Sequence, residues 1–132
     1  MVRALRTLLA FASAFVAIYA VNLAGSVLAG LSGLAGGGGP RLAWDLLWVF
    51  LAGVAATWSL VTLAPVAPRI HAAVFFVLTL AVDGWAVVEM GRDWPAWFGA
   101  GILLTLPLQV WLGAWLALRR RRAVSARIRP PA

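Results

Sequence analysis

Residues 43–63 read AWDLLWVFLAGVAATWSLVTL, and residues 70–88 read IHAAVFFVLTLAVDGWAVV. Only Ala-Pro-Val-Ala-Pro-Arg, residues 64–69, separates them. Each run has about 20 mostly apolar residues, and at ~1.5 Å per residue such a helix matches a hydrocarbon layer about 30 Å thick. Both runs are apolar on most faces, so periodicity does not identify them. Backbone chemistry does: in lipid every N–H and C=O must be satisfied within the segment, which a lone strand cannot achieve. Pro65 and Pro68 interrupt helix, and so short a link forces the two helices into an antiparallel hairpin.

Two further runs satisfy the same criterion, residues 7–29 and 96–118. Gly36 to Gly39 followed by Pro40 reads as a flexible loop. Pro95 suits the first position of the last helix, where a missing N–H costs nothing. The expected fold is therefore an all-α membrane protein. It is a four-transmembrane-helix antiparallel bundle over residues 1–118, with spans at about 7–29, 43–63, 70–88 and 96–118. A basic cytoplasmic tail, 119–132, follows. Residues 1–6 resemble the basic start of a secretory signal, with Val27-Leu28-Ala29 suited to cleavage. The apolar stretch exceeds the usual length of about 7–15 residues for such a signal, so the first span is read as retained.

Composition agrees. Of 132 residues, 64% are hydrophobic and 11% are charged, less than half the usual share of about 25% in soluble domains. The 11 basic residues are all arginine, set against 4 acids, for a net charge of +7. Nucleic acid is not an expected partner, because the charge gathers at one end of an otherwise apolar chain. The absence of cysteine excludes disulfides, thiolate zinc sites and thiol redox relays. The single histidine, His71, cannot make a two-histidine haem or zinc site within one chain. With no lysine, Schiff-base and P-loop chemistry are excluded. No cofactor or metal is implied.

Arginine placement sets orientation. With both termini cytoplasmic, that side holds Arg3, Arg6, Arg69, Arg119, Arg120, Arg121, Arg122, Arg127 and Arg129. The opposite side holds Arg41 and Arg92. Trp44, Trp94 and Trp97 fall near the outer interface and Trp115 near the inner one, as interfacial tryptophans do. The expected location is a bacterial inner membrane, with a multi-pass chain. Arg119, Arg120, Arg121, Arg122, Arg127 and Arg129 are candidate contacts for anionic lipid headgroups, each gaining about 1 kcal/mol from an anionic leaflet. Pro130 and Pro131 close an exposed tail.

Asp83 is the costliest residue in a span. An aspartate at mid-bilayer costs about 2.5–3.5 kcal/mol, and less nearer the edge. It should face the bundle and find a donor. Matching depths across antiparallel helices places Asn22 and Trp48 at its level, with an amide and an indole N–H to offer. Small residues form stripes at Ser13, Ala17, Ala20 and Ala24, and at Ala52, Ala56 and Ser59, which permit close helix approach. Pro107 interrupts the last span as a candidate hinge, and Thr105 and Gln109 lie close enough to serve the backbone it frees. His71 reads as a solvated interface residue.

The leading functional expectation is a non-enzymatic accessory or interaction subunit, whose partner is another membrane protein or a second copy. The alternative is a small ion- or proton-coupled transporter using Asp83. In size and hydropathy the chain resembles small multidrug-resistance exporters, although that family's glutamate in the first helix has no counterpart here. A further alternative is a pore former, since the chain is similar in composition to holins. Asp45, Glu89 and Asp93 around a divalent cation make the weakest reading, because Arg92 already balances local charge.

Overall fold

A computed structural model describes residues 1–34 and 38–128, with backbone alone for 126–128. Four helices follow in order: α1 Val2–Leu31, α2 Gly38–Leu63, α3 Pro68–Met90 and α4 Ala96–Ile128. Each is long and apolar enough to cross a membrane, and the described residues contain no strand. All four expected spans are present as helices.

The ends differ from expectation in instructive ways. Gly38, Gly39 and Pro40 belong to the first turn of α2 instead of a loop. Gly38 enters with φ +81°, which a residue without Cβ adopts freely, and a proline in the first turn forfeits no helical bond. Gly36 and Gly37 lie outside the described residues. Pro68 opens α3 after Ala67, whose φ of 44° is left-handed. Pro95 stands just before α4 and accepts from Phe98 N–H at 2.9 Å. α4 runs on through the arginine cluster to Ile128. Arginine and alanine are good helix formers, and no breaker intervenes before Pro130. Pro130 and Pro131 are outside the described residues.

α2 is the hub and touches the other three helices, with its most extensive contacts to α1 and α4. Against α1, Trp44 Nε1 donates to Gly25 O at 2.9 Å. Further along, Ala10 and Ala14 cluster with Ala56, Leu60 and the Phe75 ring of α3. Alanines on α1 and α2 leave the hollow that this ring fills, and Phe75 is 1% exposed. In lipid such packing gains dispersion energy and no hydrophobic drive. Val61, Ala72 and Ala117 form a second cluster joining α2, α3 and α4. The Ala52–Ala56 stripe is buried as expected, whereas Ala20 and Ala24 are exposed. α1 instead buries Ala10, Ala14, Gly25 and Ala29. Both registers on α1 carry small residues. The register chosen is the one that puts Gly25 beneath the Trp48 ring, where any Cβ would overlap it.

Candidate functional site

Where the four helices meet, a cleft of about 170 Å³ is lined by side chains from each of them. α1 contributes Ile18 and Asn22, and α2 contributes Val49, Ala52 and Gly53. α3 adds Phe75, Thr79 and Asp83, and α4 adds Leu106, Gln109 and Val110. Its polar lining is one carboxyl, two amides and a hydroxyl, and a volume of this size accommodates several waters at about 30 Å³ each. The helical spacing explains the gathering on α3, since Phe75, Thr79 and Asp83 stand four residues apart on one face.

Asn22 and Asp83 therefore do share a site, as their depths predict. The expected hydrogen bond between them is not made. Asn22 Nδ2 donates to Ile18 O at 3.0 Å. Thr79 Oγ1 donates to Phe75 O at 2.8 Å and Phe76 O at 3.1 Å. Gln109 Nε2 donates to Thr105 Oγ1 at 2.9 Å. Each polar neighbour is thus turned toward a partner on its own helix. Asn22, Asp83 and Gln109 nonetheless line the same cleft, with Gln109 Oε1 lying against Gly53. Three oxygen acceptors from three helices are a donor set suited to a hard cation or a proton held through water.

Trp48 is not part of this site. Its ring lies against Gly25 of α1 and tilts against Trp44 at 5.9 Å between centroids. Its indole Nε1 is buried and has no hydrogen-bond partner among the described residues. Equal depth did not bring it to Asp83, because its place on the α2 surface directs it toward α1.

Gln109 belongs to the site in a way the sequence reading did not anticipate. It is 2% exposed, and a Cβ at Gly53 would overlap its Oε1. The signal available was a glycine in one span and a mid-span glutamine in another. Thr105 does not serve the carbonyl freed by Pro107; its hydroxyl donates to Gly101 O at 2.7 Å and Ile102 O at 3.2 Å. α4 continues as helix through Pro107.

The arginines divide by role. Arg121 Nη2 donates to Thr62 O at 2.8 Å and Ala64 O at 2.7 Å. It closes the C-terminal end of α2, whose last carbonyls have no partner within the helix, and a cation there also suits the helix dipole. Arg121 is thus engaged with the protein itself, a role that its expected headgroup contact did not include. Arg120 lies over the Trp58 ring at 5.4 Å and Arg119 over Trp115 at 5.3 Å. Arg119 and Arg122 line a groove together with Arg69. The Arg127 side chain and Arg129 lie outside the described residues. At the opposite end of α2, Arg41 pairs with Asp45 at 2.9 Å. His71 is partly buried, with Nε2 3.4 Å from Thr7 Oγ1 and Nδ1 3.3 Å from Ala67 O.

Comparison of the chain with protein-family models, with curated proteins and with solved structures finds no match.

Proposed function

We propose that this chain is a non-enzymatic accessory or interaction subunit of a bacterial inner membrane. It forms a four-helix antiparallel bundle with both termini in the cytoplasm. The arginine distribution supports that orientation. Thr7 meets His71, and Arg121 meets Thr62 and Ala64, at one end of the molecule, which supports placing both termini on the same side.

The observation that carries the interaction reading is Asp83. It accepts no hydrogen bond from the described residues, although it lies within a span and is only partly buried. α3, which bears it, buries only Ala72 and Phe75. A donor from another membrane chain seated along α3 would satisfy the carboxylate and lower its cost. Purification in mild detergent should then recover a second membrane chain, or a second copy, at stoichiometric level. Asp83→Leu should reduce that recovery while the variant still inserts. Isolation of the wild type as a stable monomer without a partner would defeat the proposal.

A second reading, proton- or ion-coupled transport, is favoured by the oxygens gathered from α1, α3 and α4 around one cleft. In liposomes, wild-type protein should carry a proton or cation flux that Asp83→Asn removes. Equal flux in the two proteins would end this reading and leave the first untouched.

A further inference from the structure

We propose that the seam between α3 and α4 is a binding site for an anionic glycerophospholipid, with headgroup and acyl chain held by different parts of one groove. Arg69 from the start of α3 and Arg119 and Arg122 from the last turns of α4 line a groove of about 430 Å³. Its lining contains three guanidinium groups and no acid. Below them the wall is Val110, Trp111, Ala114, Trp115 and Leu118. Trp111 and Trp115 stack at 6.3 Å with 16° between their planes.

The groove does not end at the tryptophans. A second hollow of about 280 Å³ shares Val110 and Trp111 with it, and is otherwise lined by Ala72, Ala73, Phe76 and Pro107. A cationic mouth thus opens directly onto an apolar furrow between two membrane helices. Along α4 the distance from Pro107 to Arg122 is about 22 Å, enough for a phosphate, a glycerol and a good part of one chain. Guanidinium groups pair with phosphate oxygens in a fixed fork, tryptophan suits the headgroup boundary, and small side chains on both helices leave room for a hydrocarbon tail. A free phosphate would use the mouth alone, and an acidic peptide would leave the furrow empty. Asp83 is not among the residues that line this groove.

The test is native mass spectrometry of the full chain in detergent, titrated with phosphatidylglycerol or with phosphatidylcholine of identical chains. Phosphatidylglycerol should be retained at least tenfold better. Arg69→Gln and Arg122→Gln should each weaken it about fivefold, whereas Arg3→Gln, with the same loss of charge at the same end, should change it less than twofold. Ala73→Trp fills the furrow from an exposed position and leaves every charge in place. It should weaken phosphatidylglycerol without altering competition by inorganic phosphate. Equal retention of the two lipids, an equal loss with Arg3→Gln, or no effect of Ala73→Trp would each overturn the proposal. So would displacement of the lipid by millimolar inorganic phosphate, or retention of a polyglutamate peptide in place of the lipid.

Discussion

Gly113→Ala is expected to cost about 1–3 kcal/mol of unfolding free energy, the range for an overpacked site, and Gly113→Leu more. A Cβ at this position would lie 2.5 Å from Val54 O and 2.7 Å from Thr57 Cβ. The first of these is a backbone atom in the middle of α2, so no rotamer change relieves the overlap. α2 and α4 would have to separate, loosening Gln109 against Gly53 and the second cluster around Val61, Ala72 and Ala117. Gly30→Ala is the matched control, because a Cβ there meets nothing within 4 Å. Exchange of glycine for alanine in an open helical position gains up to about 1 kcal/mol. Reversible unfolding in mixed micelles would measure both. A Gly113→Ala protein as stable as wild type would mean that α2 and α4 are not in backbone contact there.

The second large effect is expected at Arg121. Its removal leaves Thr62 O and Ala64 O without their donor. A hydrogen bond to a charged group contributes about 1.5–3 kcal/mol, so Arg121→Ala should lose at least that much. Arg121→Lys keeps the charge but replaces the planar fork by a single ammonium, and should recover only part of it. Arg122→Ala, one residue on and exposed, should stay within about 0.5 kcal/mol, as surface substitutions do. Neighbouring arginines in one run would then differ several-fold in energetic weight. Indistinguishable unfolding of the Arg121 and Arg122 variants would remove Arg121 from its capping role.

Those four arginines show where reading from sequence stops. Arg119 to Arg122 are identical in composition and adjacent in the chain. Because α4 continues through them, successive side chains point about 100° apart. One meets the end of α2, one covers Trp58, and two line the seam with α3. Charge count alone gives them a single shared role. The same limit separates Trp48 from Gln109. Depth along a helix is legible from residue number, and it places Asn22 with Asp83. Rotation about the helix axis is not legible in a span that is apolar all round, because no polar face marks its direction.

Span number, span length and the one-ended accumulation of positive charge followed from the sequence by itself. They depend on local quantities, the run length of apolar residues and the positions of proline and glycine, judged against a hydrocarbon layer of fixed thickness. The tertiary structure decided which of two small-residue registers α1 buries, which polar side chains share the central cleft, and which arginine closes α2. Those choices depend on interlocking of particular pairs, Gly25 with Trp48, Gly53 with Gln109, Gly113 with Val54. When lipid surrounds helices as apolar as itself, close packing of this kind is what selects one arrangement over another.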